Sequence, residues 1–234
     1  MSVIQTQVLD LEDLTNGTNE SSLIKIKQKI KSKRLFKFLK RSFDVVASFC
    51  GIVLLSPFFL VISLAIKLDS KGKVFFKHKR IGKNGKEISI YKFRTMCENA
   101  EDMIKDFTPE QQKEFKENYK LKNDPRITKI GNVLRRTSLD ELPQLFNIIK
   151  GDLSVVGPRP VIGEELEKYG ENKDKFLSVT PGLTGYWAAN GRSDTTYEER
   201  VMLECQYVNK FSVWNDIKLL FKTVISVIKK EGAV

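Results

Sequence analysis

From Val45 to Ile66 the chain reads VVASFCGIVLLSPFFLVISLAI, 22 positions without a charged side chain. At about 1.5 Å rise per residue, a straight helix of this length just crosses a hydrocarbon core ~30 Å thick. A secretory signal is excluded: the run starts too late, is too long and is followed by no small-residue cleavage site. The segment therefore predicts a membrane-embedded helix, and its flanks predict how it sits. Nine bases precede it between Ser21 and Phe43 (Lys25 to Arg41), with no acid among them. Lys67 follows it, and residues 71–94 carry nine more bases against Glu87 alone. The positive-inside rule places both flanks on the cytoplasmic side. Ser56 and Pro57 stand at the middle of the run. Proline there removes one helix hydrogen bond and predicts a kink, and the Ser56 hydroxyl can satisfy a freed backbone group. The expectation is a re-entrant helix, 45–66, broken at Ser56-Pro57 into two halves of about 11 residues that enter and leave one leaflet. A kinked helix that crosses the bilayer is the alternative.

The remaining charge has a clear layout. The chain of 234 residues holds 40 Lys plus Arg against 29 Asp plus Glu, a net charge of +11. Residues 1–22 are acidic and polar and read as a flexible tail. Residues 23–44 are a basic segment with interleaved apolar residues, suited to an anionic membrane surface; a solvated basic arm is the plainer reading. Aromatic residues are scarce among the basic runs, which disfavours nucleic acid as the anionic partner. The single His, His78, excludes a multi-His zinc site, and nothing around it suggests a nucleophile triad. Cys50, Cys97 and Cys205 form no CxxC, which suits buried thiols in a reducing compartment.

Residues 67–234 read as a water-facing domain. VFFKHKRIGKNGKEISIYKFR, residues 74–94, predicts two strands about an Asn84-Gly85 turn. Residues 98–122 predict a pair of helices broken at Pro109, and 126–150 a helix, a break at Ser138 and a second helix. Gly151 to Pro160 and residues 181–195 predict turn-rich loops, and Tyr197 to Asn209 a helix. Trp214, Ile217, Leu220, Phe221, Val224, Ile225 and Ile228 recur at helical spacing. That amphipathic helix can pack on a core or lie on a membrane. The fold class expected is α+β, mainly α, with a small β-containing domain.

The segment richest in reactive side chains is LRRTSLDELPQ, Leu134 to Gln144. Arg135 and Arg136 offer planar donor forks for phosphate. Asp140 and Glu141 follow as adjacent carboxylates, able to approach a cation and the phosphate it neutralises from two sides. The competing reading is a capping box, Ser138-x-x-Glu141. In GPRP, Arg159 is held between two prolines that preset its backbone. Asn190-Gly191-Arg192 lies beside Trp187, and Lys92 and Arg94 stand in YKFRTM. Arg159 is thereby a candidate anion ligand, with a rigid surface turn as the plainer reading. Asn190-Gly191-Arg192 can hold a base or sugar or be simply a turn, and Lys92 and Arg94 have a similar standing.

The ordered set FKHKRIG, YKFRTM, NDPRIT-IG, LRRTSLDELPQLFNIIKGDLSVVGPRP and PGLTGYW--NGRSDT-YEERV resembles the bacterial sugar transferases, and among them the monotopic polyprenyl-phosphate phosphoglycosyl transferases. The likeness runs from about Phe38 to the C-terminus. It implies a monotopic protein on the cytoplasmic face of the bacterial inner membrane, its re-entrant helix broken at Ser56-Pro57. It implies Asp140 as nucleophile on a UDP-sugar, Glu141 with Asp140 as Mg2+ ligands, and UMP release. Polyprenyl phosphate, undecaprenyl phosphate in bacteria, then takes the sugar phosphate, the first membrane step of polysaccharide or glycoconjugate assembly. Arg135 and Arg159 match family arginines near the phosphates, and Arg80, Lys92, Arg94, Arg136 and Arg192 complete the substrate-binding set. Glu204, in LECQYV, is counted with that substrate-binding set, although it stands where relatives often carry Asp. The motif version is closer to the galactose or glucose branch. A homodimer and downstream glycosyltransferases are the protein partners expected. A membrane-tethered basic binding module without catalysis is the rival reading.

Overall fold

The computed structural model describes residues 20–118, 121–191, 195–210 and 212–229, with side chains from Leu35 onward except those of residues 117, 118 and 228. The expected tail, apart from its last three residues, and Arg192 lie outside the described residues. The chain divides into two compact units, Met1–Ser42 and Phe43–Val234. The described part of the first is the start of one long helix; the second holds the remainder of that helix and every later element.

That helix, α1, runs Glu20–Asp69 with Pro57 inside it. The two separate halves expected from Ser56-Pro57 are instead one continuous helix, and the local chemistry explains it. Proline at 57 leaves the carbonyl of Val53 without its usual N–H partner. The Ser56 hydroxyl donates to that same carbonyl at 2.8 Å. Between Leu35 and Asp69 the helix is long and apolar enough to cross a membrane. One stripe is buried, running from Asp44 and Ser48 to Ile62 and Ile66, while Val46, Phe49, Leu54, Phe58, Val61 and Leu64 are exposed.

The hairpin forms where the alternation and turn predict. Strands β1 (Phe75–Ile81) and β2 (Glu87–Phe93) pair antiparallel, with Phe76 opposite Lys92 and Arg80 opposite Ile88. Asn84 and Gly85 take left-handed φ of 57° and 77° between them, as a tight hairpin connection requires. A 3-10 turn, Asp102–Asp106, precedes α2, Pro109–Asn118. Pro109 opens this helix, where its missing N–H costs nothing.

Helix α3 (Lys129–Thr137) begins under two caps: Thr128 Oγ1 accepts from Gly131 N, and Asp69, at the end of α1, accepts from Ile130 N, both at 3.0 Å. It stops at Ser138, which adopts φ 56°, ψ 17°. A 3-10 turn, Leu139–Glu141, then leads into α4, Gln144–Lys150. The Gly/Pro-rich loop contains a strand the sequence did not announce. β3 (Ser154–Val156) pairs in parallel with β4 (Gly182–Thr184). Between them lie α5 (Gly163–Leu166), a 3-10 segment (Glu167–Asn172) and α6 (Lys173–Leu177). After β4 come α7 (Tyr186–Ala189), α8 (Tyr197–Asn209) and α9 (Val213–Ile228).

Among the described residues the core is four apolar clusters rather than one. The cluster that positions the site joins Ile62 and Ile66 of α1 to Phe93 of β2 and Leu134 of α3. Each such side chain contributes roughly 1.5–3 kcal/mol on full burial. Asn147, fully buried, ties α4 to β2 by accepting from Tyr91 N at 2.8 Å and donating to Ser89 O at 2.7 Å.

Candidate active site

Asp140 and Glu141 sit on the short turn between α3 and α4, facing β2. Lys92, near the end of that strand, places Nζ 2.8 Å from Glu141 Oε1 and 3.5 Å from Asp140 Oδ2. Arg159, from the loop after β3, places Nη2 3.0 Å from the same Glu141 oxygen. Three distant segments thus converge on one carboxylate. This arrangement overturns the capping-box alternative. Ser138 provides no side-chain cap, and Glu141 points its carboxylate at Lys92 and Arg159. The chain does contain a complete capping box, but at Thr196 and Glu199.

Two neighbouring acids are thereby held differently. Burial lifts the Asp140 carboxyl above its ordinary range, against the pull of Lys92; Glu141 pushes it further up and Arg135 and Arg159 pull it down. For Glu141 burial acts in the same direction, but Arg159 and Lys92 outweigh it and hold the carboxyl well below that range. Glu141 is therefore a fixed anion with two cationic partners. Asp140, 7% exposed, is the more basic of the two and the better electron-pair donor.

The other expected ligands distribute unevenly. Arg135 donates from Nε to Thr95 Oγ1 at 3.0 Å and lies within the field of Asp140. Arg136, the next residue and so about 100° around the helix, is exposed. It lines a separate cavity of about 730 Å³ with Lys122 and Lys129. Arg94 is not brought to the dyad. It is buried, and its guanidinium donates to Ser70 Oγ, Ser70 O, Lys73 O and Met96 O at 2.6–3.2 Å, clasping the chain that leaves α1. Arg80 lies 3.6 Å from Glu165 and is pushed down to about 10 by burial and by Arg159. Its Nη2 is 3.3 Å from His78 Nδ1. His78 itself is pushed down to about 4 by burial, then Arg80, Lys92 and Arg159, so it stays a neutral ring. Glu204 is buried and accepts from the backbone N–H of Arg159 at 3.0 Å.

Three participants were not among the site residues expected from the sequence, although Trp187 was named as the neighbour of Asn190-Gly191-Arg192. Glu165 bonds Arg200 at 3.2 Å as well as facing Arg80. Trp187 is flanked by two guanidiniums, Arg159 at 5.4 Å and Arg200 at 4.7 Å from its ring, distances at which cation–π attraction operates. Arg200 stands in the YEERV motif, so its sequence signal was present; Glu165, in an ordinary first helical turn, had none. Around the dyad, Lys92, Arg135, Arg159, Arg80 and Arg200 are set against Asp140, Glu141 and Glu165. The surplus of positive charge suits a polyanion such as a diphosphate.

Comparison with known proteins bears on what this site serves. A family model described as bacterial sugar transferase matches residues 35–230. Undecaprenyl-phosphate galactose phosphotransferase of Salmonella typhimurium is 42% identical over 92% of this chain and 46% of its own length. The exopolysaccharide production protein ExoY of Rhizobium meliloti is 46% identical over 83% of this chain and 87% of its own. UDP-glucose:undecaprenyl-phosphate glucose-1-phosphate transferase of Escherichia coli K12 is 40% identical over 80% and 40%, respectively. The chain thus spans under half the length of the Salmonella and Escherichia relatives and most of the Rhizobium one.

Proposed function

The chain belongs to the bacterial sugar transferase family, and from that premise we propose that it transfers a sugar 1-phosphate from a UDP-sugar to undecaprenyl phosphate. The observation that carries the reading is the buried Asp140 beside a Glu141 pinned by Lys92 and Arg159. In the first step an Asp140 oxygen attacks the β-phosphorus. The bond from that phosphorus to the bridging oxygen breaks, and UMP leaves with the electron pair. The sugar phosphate is then an acyl phosphate on Asp140. In the second step an oxygen of the lipid phosphate attacks the same phosphorus and the Asp140 carboxylate departs. The product is undecaprenyl diphosphate-sugar.

The surrounding residues have distinct tasks in this scheme. Burial keeps Asp140 poorly hydrated and ready to attack. Arg159, Lys92 and Arg135 offset the charge of the diphosphate. A divalent cation fits the donor set: adjacent hard carboxylate oxygens that a diphosphate would complete, as in many Mg2+ sites. Asp140 and Glu141 would hold it, and when bound it would neutralise charge on the diphosphate. Among the described residues no group of three or more His, Cys, Asp and Glu forms a closed protein cage. The relatives' names, which include galactose and glucose, support a hexose as the sugar.

Two surfaces support a membrane setting. The outer face of α1 is apolar, and so is that of α9, where Trp214 is 75% and Phe221 69% exposed. The basic flanks of the apolar run 45–66 support entry and exit on the cytoplasmic side, with the bend at the proline. The test is UMP release from UDP-galactose and UDP-glucose by detergent-solubilised protein supplied with polyprenyl phosphate. Release is expected, with loss of at least about a thousandfold in Asp140→Asn. Absence of release from any UDP-hexose or UDP-N-acetylhexosamine rejects the proposal. Salt-sensitive lipid binding that ignores Asp140, without release, supports the non-catalytic binding module instead.

A further inference from the structure

Pro158-Arg159-Pro160 contains one backbone N–H, because neither proline has any. On each side of Arg159 the loop is fixed by main-chain bonds. Gly157 N donates to Thr184 O and Gly182 N to Pro158 O, both at 2.8 Å, and Ile81 N donates to Val161 O at 2.7 Å. The approach to β4 is tight: a Cβ on Gly182 would lie 2.1 Å from Gly157 N, and one on Gly185 would lie 2.2 Å from Gly157 O. Arg159 itself is held by something else. Its N–H donates to Glu204 Oε1 at 3.0 Å.

Glu204 reaches it from α8, where it is 1% exposed. Its second oxygen, Oε2, has no hydrogen-bond partner among the described residues. One turn earlier on the same helix, Arg200 covers the Trp187 ring that Arg159 also covers. Helix α8 thus braces Arg159 twice, at its backbone through Glu204 and across the indole through Arg200. At the far end of the side chain, Nη2 meets Glu141 at 3.0 Å.

We propose that Glu204 is a positioning residue: by accepting the only N–H of the Pro158-Arg159-Pro160 segment, it fixes the backbone from which the Arg159 guanidinium reaches Glu141 and the phosphate site. The inference rests on the transfer reaction proposed above. The groups around Glu204 are the Arg159 N–H and guanidinium, Arg200 from its own helix, Tyr169 from the 3-10 segment and the adjacent Cys205. Burial pushes the Glu204 carboxyl up to about 7 against the pull of the Arg159 N–H, Arg200 and the Arg159 guanidinium. What the loop uses is an acceptor oxygen, which a neutral acid or an amide supplies as well as a carboxylate.

Substitution in the full chain separates this role from the alternatives. Glu204→Gln keeps the acceptor and is expected to retain kcat within about threefold, whereas Glu204→Leu should lose about tenfold or more, the worth of one buried hydrogen bond or above. In an Arg159→Ala background, Glu204→Leu should cost nothing further. In a Trp214→Phe background, Trp187 emission should shift in Glu204→Leu and stay put in Glu204→Gln. Equal damage from Gln and Leu overturns the proposal in favour of a charge acting on substrate. Wild-type activity in Glu204→Leu, or full additivity with Arg159→Ala, also overturns it. Should Glu204→Leu not fold, Glu204→Gln decides alone: retention supports the proposal and a tenfold loss rejects it. If the wild type releases no UMP, it is the transfer reading that fails, and the emission shift alone judges the positioning role.

Discussion

Asp140 and Glu141 are neighbours on one turn, yet their partners make them chemically unlike. Glu141 receives Lys92 and Arg159 on a single oxygen at 2.8 and 3.0 Å, while the approach of Lys92 to Asp140 is longer, at 3.5 Å. Of two buried acids, the one with the weaker electrostatic support is the more basic. Glu204 shows the same physics without a strong partner, and it makes stability depend on pH. Its carboxyl is raised in the folded chain from 4.5 to about 7. Below 4.5 both folded and unfolded chains are protonated there and the group contributes nothing. Between 4.5 and 7 the unfolded chain releases its proton first, so stability falls as pH rises; above 7 the penalty is complete, on the order of 3 kcal/mol. Glu204→Gln should remove this slope and raise the melting temperature at pH 8 but not at pH 4, as read by thermal unfolding. A higher melting temperature at pH 4 than at pH 8 in both proteins, by equal amounts, would exclude Glu204 as the source. The adjacency of Asp140 and Glu141 was legible in the sequence. Which of them is pinned was not, since Lys92 and Arg159 lie 48 residues before and 19 after Asp140 in the chain.

Most elements announced by local pattern formed as expected, although the first of the two helices expected over 98–122 is only the 3-10 turn Asp102–Asp106. The hairpin follows from alternation and the Asn84-Gly85 turn, and α8 and α9 follow from apolar spacing and their N-caps at Thr196 and Ser212. Strands β3 and β4 did not announce themselves. Each has three residues, too few to show alternation, and each is defined by a partner distant in the chain. Glycines at 157, 182 and 185 are the trace they leave, because the two backbones approach too closely for a Cβ. The apolar run of α1 is equally plain, but the break at Ser56-Pro57 is not present as two separate helices. The Ser56 hydroxyl bonds the carbonyl that Pro57 orphans, so the pair can hold a helix together as well as bend it. The topological prediction stands on the flanking charges and is testable by itself. Cysteines introduced at positions 30 and 75 of a Cys-free protein should both react from the cytoplasmic side of oriented vesicles. Reaction from opposite sides would establish a crossing helix.

At the scale of the whole molecule, two forces would attach the chain to a membrane, and they respond differently to salt. A net charge of +11 favours anionic lipid, but at 1 M salt the screening length is only about 3 Å. Apolar burial does not weaken in salt. The outward faces of α1 and α9 carry Phe49, Leu54, Phe58, Trp214 and Phe221 in the open. Membranes washed with 1 M NaCl should therefore retain the protein, and detergent should release it; release by salt alone would mean that the apolar faces are not inserted. The sequence by itself determined the apolar helix and its basic flanks, the hairpin, the family and the acidic pair, because each is written in one or several short runs of contiguous residues. It could not sort the arginines. Arg94 clasps the end of α1, Arg136 points to a separate cavity, and Arg159 reaches the dyad, though all three stand in motifs of the same family. Only the tertiary structure decided among them, because a side chain's role depends on which distant carbonyl, carboxylate or ring folding brings within about 3 to 5 Å of it.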